Sequence, residues 1–479
     1  MAQEHHVTAP EDRIPVGEKI AYGMGAFVNN LLASAIGGMT IVLNLGLGMN
    51  PALVGLLGAL PRLTDAITDP LMGYISDNTR SRWGRRRPYI FCGAIAVGLL
   101  FALLWQLPEG RSENFYFWFF LIGSFLFYLA YTVFVTPWVA LGYELTPDYH
   151  ERTRLMGVQN AMGQVAYAIA PWFLAIMYSE TLFDSVVEGA AGLAVAIGVA
   201  AIGFGVLPAL FLRERHREVA AAEPEAGGGA SLGSVVKDFF RGFLLTLSFR
   251  PFLMLCAATF LVFNGFILVS AFQSYVIIFY VFGGDEAQAA QYIGWSGTVS
   301  AVATFLVIAL VTALSTKFGK RRTFFFAIGV SVVGYASKWF CYDPDYPLLV
   351  LLPAPLMAFG LGGLFTLMGS MIADVCDLDE LRTGERREGM YASIFWWVVK
   401  LGMSAALFGG GILLNVTGFD IDFGGDQSAE TIRLMRLFDA GIPAITSVIA
   451  IAMVWAYPIT EERAYEVRAS LEARRGAAG

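Results

Sequence analysis

The chain has 479 residues, 56% of them hydrophobic and only 15% charged, with a mean hydropathy of +0.60. Soluble domains carry about 25% charged residues, so this deficit and the long apolar runs exclude a soluble globular class and place the protein in a membrane. The net charge of −7 excludes little, because charge on a membrane protein is read by location, and the four scattered cysteines (Cys92, Cys256, Cys341, Cys376) form no CxxC pair, disulfide framework or metal site.

Residues 1–16 are polar and lack the apolar core of a cleavable signal peptide, so they are expected to form a cytoplasmic N-terminus. Apolar runs of about 20 residues then predict an all-α membrane protein of twelve spans. The first six lie near 17–42, 51–75, 88–107, 114–143, 154–178 and 189–212, an N-terminal half covering 17–212. A polar segment at 213–250, containing RERHREVAAAEPEAGGGASLG, has the composition of a flexible linker. The second six lie near 251–282, 289–315, 323–341, 347–373, 389–415 and 436–458, a C-terminal half covering 251–458. The tail, 459–479, mixes charges with good helix formers and is expected to be a cytoplasmic surface helix.

Loop charge gives orientation. The loops after the even-numbered spans hold about 20 Lys and Arg, and those after the odd-numbered spans about three, which puts both termini and the linker in the cytoplasm. Such a chain sits in the cell's inner (plasma) membrane. The halves also repeat. Trp83-Gly84-Arg85-Arg86-Arg87 follows span 2, and Phe318-Gly319-Lys320-Arg321-Arg322 follows span 8, 235 residues later. Any tight basic loop would share some of this, but loop position and residue order both match. Two six-helix repeats flanking a central site is the plan of major facilitator transporters.

Span 2 carries three intramembrane charges, Arg62, Asp65 and Asp69. Each costs roughly 2.5–3.5 kcal/mol at the centre of a membrane helix, so such residues usually line a pathway. Their i, i+3, i+7 spacing sets them within about 60° on one helix face, with Thr68 beside them. Adjacent carboxylates in a low dielectric repel and call for a shared cation or proton. The alternative is a structural network in which Arg62 pairs with Asp65. In span 4, Pro137 interrupts helical hydrogen bonding beside Thr132 and Thr136. Thr132 can complete a cation site or bond back to its own helix. Lys400 stands mid-membrane in span 11, where an ammonium needs a carboxylate partner such as Asp65 or Asp69, as a coupling element or a static bridge.

Other polar residues at mid-membrane depth are Asn29, Asn30, Gln159, Asn160, Gln164, Asn264 and Gln273, and Tyr131, Trp138, Trp396 and Trp397 are nearby aromatics. Such groups suit a hydroxyl-rich ligand and equally suit helix–helix packing. Lys338, near the end of span 9, reads as a lysine that snorkels to the surface. No phosphate-cradling loop, HExxH or nucleophile–base arrangement occurs, so no enzyme, cofactor, ATP-driven transport or nucleic-acid partner is predicted.

RLTDAITDPLMGYISDNTRSRWGRRRPYI resembles the second helix and following loop of the glycoside–pentoside–hexuronide:cation symporters, the melibiose permease family of the major facilitator superfamily. MIADVCDLDELRTGERREGMYASIFWWVVK is similar to that family's loop and helix 11, and AYTVFVTPWVALGYELTPDYHERTR to its helix 4. The resemblance implies a coupling-cation site from Asp65, Asp69 and Thr132, with Lys400 nearby. Thr68 stands where the melibiose permease has Asn, which leaves Na⁺ and H⁺ both open. Asn30, Val135 and Asn160 stand where galactoside carriers have two Asp and an Arg, so the galactoside contacts are not kept.

The sequence thus predicts a symporter that couples Na⁺ or H⁺ influx to uptake of a glycoside or related small organic solute by alternating access, acting as a monomer. The alternative on the same fold is a carrier of an amphipath such as a lysolipid or steroid. Asp65, Asp69, Thr68 and Thr132 are the expected cation ligands and Lys400 the coupling residue. Asn30, Arg62, Tyr131, Trp138, Asn160 and Trp397 are expected to line the solute cavity.

Overall fold

The computed structural model describes residues 10–108, 110–146, 149–214, 246, 248–383 and 388–478. The chain forms two compact units, Met1–Gly227 and Gly228–Gly479, which divide within the expected linker; residues 215–245 of that linker lie outside the described residues.

The first unit contains α1 (Val16–Met39), α2 (Pro51–Leu63), α3 (Asp65–Asn78), α4 (Arg87–Leu104), α5 (Glu113–Glu144), α6 (Tyr149–Ile169) and α7 (Val186–Gly205). The second contains α8 (Arg250–Tyr275), continued by a π-helical turn (Val276–Val281), then α9 (Glu286–Phe318), α10 (Lys320–Cys341), α11 (Pro353–Thr383), α12 (Glu388–Val416), α13 (Ala429–Trp455) and α14 (Glu461–Ala478). Ten helices among the described residues are long and apolar enough to cross a membrane. The second and fifth expected spans are not among them. The second is divided at Thr64 into α2 and α3, and holds Arg62, Asp65 and Asp69; the fifth holds Gln159, Asn160 and Gln164. Both helices give up hydropathy to polar groups. α11 runs ten residues past the expected end of its span, because Cys376 and Asp379 still find buried positions on it.

The repeat seen in the basic loops extends to the packing. In the first unit α1 packs on α6 and α7, α4 on α5 and α7, and α3 on α5. In the second, α8 packs on α12 and α13, α10 on α11 and α13, and α9 on α11. Each pair has its counterpart six spans later. The basic turns match in detail too. Gly84 and Gly319 both adopt positive φ, +107° and +80°, where a side chain is strained. A Cβ on Gly84 would meet the Glu214 carboxylate and one on Gly319 that of Glu461, each at 2.5 Å. Glu214 accepts the N–H groups of Arg85, Arg86 and Arg87 at 2.8, 2.9 and 3.1 Å, placing an anion at the N-terminus of α4. Arg85 and Arg86 pair with Glu144 on α5, and Lys320 pairs with Asp374 on α11 at 2.7 Å.

A strap precedes α1. Thr146 Oγ1 donates to the Asp12 carbonyl at 2.8 Å. The buried Glu151 carboxylate accepts from Ile14 N–H at 3.0 Å, Lys19 Nζ at 2.6 Å and Arg154 Nη1 at 3.1 Å. Burial pushes the Glu151 pKa up, but the bonds from Lys19, Ile14 and Arg154 outweigh it and hold the carboxyl below its ordinary value. The tail forms α14, which packs on α11 with Arg474 Nη1 on the Leu381 carbonyl at 2.8 Å.

Lys338 departs from expectation. It does not snorkel: its side chain is 1% exposed and its ammonium pairs with Asp439 at 2.9 Å. A carboxylate on α13, distant in sequence, offers it a partner inside the unit.

Candidate cation and solute site

The site in the first unit forms where α3 meets α5. Two features bring them together. Pro61 removes one helical donor in α2, and the chain re-forms a helix at Asp65 after Thr64, whose hydroxyl bonds the Pro61 carbonyl at 2.6 Å. Pro137 lies inside α5, which continues unbroken for 32 residues. Next to the carbonyl that Pro137 frees, at Val133, Gly93 of α4 lies so close that a Cβ would meet Phe134 N at 2.6 Å. Only glycine permits that backbone approach, and it supports α5 from behind the site.

On the facing side, Thr132 Oγ1 donates to Asp69 Oδ1 at 3.0 Å. Thr132 therefore reaches across to the carboxylate instead of bonding back to α5. Thr136 Oγ1 approaches the same oxygen at 3.5 Å. Thr68 Oγ1 lies 3.3 Å from Thr132 Oγ1 and donates to the Thr64 carbonyl at 3.1 Å. Asp65 is 3% exposed and Thr132 2%. Three hydroxyls and a carboxylate thus converge, an all-oxygen set of the kind hard cations and protons use.

Arg62 lies one turn before Asp65. Its guanidinium sits over the Tyr128 ring, 5.3 Å from the centroid, within electrostatic reach of Tyr131 and Asp65. Tyr131 Oη donates to Asn29 Oδ1 at 2.7 Å, and Asn29 Nδ2 donates to Asn30 Oδ1 at 2.9 Å. Asn30 lies against α6, where a Cβ on Gly163 would come 2.6 Å from its amide nitrogen. A polar belt therefore runs from Arg62 through Tyr131 to Asn30.

Not every expected residue joins this belt. Trp138 is 2% exposed, its indole N–H bonded to the Tyr22 carbonyl at 3.1 Å and its ring 5.2 Å from that of Tyr22. It is a packing residue between α1 and α5. Asn160 is exposed on α6. Lys400 and Trp397 are partly buried on α12 in the second unit. Tyr128, Thr136 and Asn29 were not among the expected site residues. Tyr128 and Thr136 flank Thr132 at i−4 and i+4, the helical spacing that puts all three on one face. Asn29 adjoins Asn30, and no sequence signal chooses between them.

The chain matches, over residues 21–461, the profile of a family described as MFS/sugar transport protein. It is 26% identical to an uncharacterized symporter, sll1374, of Synechocystis, with 95% of this chain and 96% of that protein aligned. It is 22% identical to the glucuronide carrier protein homolog of Escherichia coli, with 95% of each covered. Among solved structures it resembles a bacterial homolog of the human lysosomal transporter Spinster, at a TM-score of 0.68 and 15% identity over 94% of this chain and 98% of that one. The last likeness shows the fold alone. With a profile match across nearly the whole chain, the protein belongs to the MFS/sugar transport family, a family of membrane transporters and not of enzymes.

Proposed function

We propose that the protein is a secondary symporter that takes up a glycoside or related polar organic solute together with Na⁺ or H⁺. The observation that carries this reading is the Thr132–Asp69 hydrogen bond at 3.0 Å across the α3–α5 contact, with Thr68 and Thr136 beside it. Arg62 and Asp65 offset one another in charge, which leaves Asp69 as the net negative charge of the group. One net charge in a low-dielectric setting suits a monovalent cation or a proton and disfavours a divalent ion.

Asp65, Asp69, Thr68 and Thr132 act as the cation ligands. Arg62, Tyr131, Asn30, Asn160 and Trp397 contribute to solute binding, with Tyr128 and Asn29 added, and Trp138 is left to packing. Amide and phenol groups supply the hydrogen bonds a hydroxyl-rich solute needs. Lys400 is the coupling residue, an ammonium that competes with the cation for a carboxylate. The carrier needs no organic cofactor, works as a monomer in the inner membrane and keeps both termini in the cytoplasm. Alternating access carries the solute inward.

The purified protein is screened by thermal shift against a sugar and glycoside panel in NaCl and in choline chloride, across pH. A ligand that binds only the folded state raises the melting temperature, by linkage. A solute shift that grows with Na⁺ or with acidity in the parent, and loses that dependence in Asp69→Asn, supports the reading. A cation-dependent solute shift that persists in Asp69→Asn refutes the site. Shifts seen only with lysolipids or steroids replace the solute class with an amphipath.

A further inference from the structure

The second unit holds a charge pair that the proposed cation site does not use. Lys338, in the last turn of α10, pairs with Asp439 of α13 at 2.9 Å, and both side chains are 1% exposed. Lys338 Nζ also donates to Gln273 Oε1 of α8 at 3.3 Å and lies 5.7 Å from the Tyr342 ring centroid. An ammonium only donates, so the Gln273 amide must turn its oxygen toward it. Three helices are tied at one buried point.

Just beyond Gln273, α8 leaves α geometry. Val276–Val281 form a π-helical turn in which Val276, Ile277, Ile278, Phe279 and Val281 are buried. A π turn holds one residue more than the α ladder accommodates, and such turns are frequent at functional positions. A second cation clamps this turn. Arg436, three residues before Asp439 on α13, stacks over Tyr280 at 4.0 Å and over Trp339 at 4.6 Å, and donates to the Trp339 carbonyl at 2.6 Å. Gly283 and Gly284 follow at φ +59° and +95°. Two cations therefore grip α8, one before the π turn and one on it, and a glycine pivot comes after.

We propose that Lys338 and Asp439, seconded by Arg436, form a clasp on the π turn of α8 that opens and closes as the transporter works. Lys338 and Asp439 are positioning residues in this sense. The physical reason is the choice of an ion pair where apolar residues would serve a static joint as well or better. Desolvation consumes most of the Coulomb energy of a buried pair, and apolar replacements of similar volume are often neutral or stabilising. What an ion pair adds is a second favourable state. When the joint opens, water solvates both charges, whereas an apolar joint gains nothing by opening. The clasp does not depend on which cation or solute is carried.

The test uses the full chain in liposomes with Cys92 and Cys341 replaced by serine and Phe279→Cys as reporter. Phe279 is 4% exposed and packs on Phe419 with ring centroids 4.9 Å apart, so a membrane-impermeant maleimide reaches position 279 only when the turn opens. Labelling is quantified on the peptide by mass. Expected are slow but measurable labelling in the parent and labelling at least threefold slower in K338M/D439L, which has lost the hydrated open state. K338M alone, with an uncompensated buried carboxylate, labels at least tenfold faster if it folds. Labelling of K338M/D439L equal to or faster than the parent overturns the clasp, as does a parent that never labels. Melting temperatures separate a clasp from a strut, since the double variant is expected to unfold no lower than the parent.

Discussion

Asp69 is the residue on which the first unit's chemistry turns, and the groups around it respond differently to substitution. Thr132→Ala removes a hydroxyl that lies 3.0 Å from Asp69 and is proposed to ligate the cation, a contact to a charged group worth about 1.5–3 kcal/mol in the bound state, so cation affinity is expected to fall about tenfold or more. Thr132→Ser keeps the hydroxyl and retains most of it; titrating the melting temperature with the cation measures both. Trp138→Phe loses the bond to the Tyr22 carbonyl and the part of the indole that packs against Gly25, and costs about 1–3 kcal/mol of stability. The cation response of that variant stays as in the parent, which separates packing from binding. The three charges of span 2 were legible in the sequence because charge inside a membrane is costly and rarely incidental. The direction of the threonine hydroxyls was not. A membrane-helix threonine satisfies itself on its own backbone or on a neighbour, and only the neighbour's position decides.

At the scale of elements, tight turns and helix ends carry the predictions. Gly84 has φ +107° with the Glu214 carboxylate against it, so Gly84→Ala combines backbone strain with a steric conflict. A loss of about 1–3 kcal/mol, seen in thermal unfolding, is expected. The strap before α1 depends on Glu151, whose carboxyl is held below its ordinary value of 4.5. A depressed carboxylate contributes stability above its unfolded pKa, and that contribution disappears as pH falls through the folded pKa below 4.5. Amide exchange over residues 12–19, measured against a pH-matched reference peptide, should therefore rise on acidification below about pH 4.5. Glu151→Gln should show the faster exchange already at neutral pH. Apolar run length located these helices, but it missed the break at Thr64 and the extension of α11. Hydropathy reports average burial and not where one helix stops leaning on another.

For the whole molecule, the repeat of five packing pairs in each unit accounts for the doubled sequence plan. Each unit satisfies its own helix contacts, so the covalent connection between them need not be intact once the chain has folded. A protease site inserted at the 227/228 division is expected to leave both units folded after cleavage. Protection of α1–α7 and of α8–α13 in hydrogen exchange should be unchanged; collapse of either set would show that the chain folds as one inseparable body. The repeat was visible in the sequence only at its most constrained point, the basic turn around Gly84 and Gly319. There a positive φ and a close carboxylate demand glycine, while the packing faces accept many apolar residues of similar volume.

The sequence by itself determined the membrane class, the division into two repeating halves, the family and the costly carboxylates of span 2. The class, the halves and the carboxylates follow from composition, run length, the matched basic turns and the energetic penalty of charge in lipid, and the family from the resemblance of the motifs in spans 2, 4 and 11; all of these act through local sequence. Only the tertiary structure decided which hydroxyls meet Asp69, that Trp138 packs on Tyr22, and that Lys338 is buried against Asp439 instead of reaching the surface. Each of these depends on a partner from a distant part of the chain. A buried polar group must find such a partner, but its own neighbours in sequence do not say which.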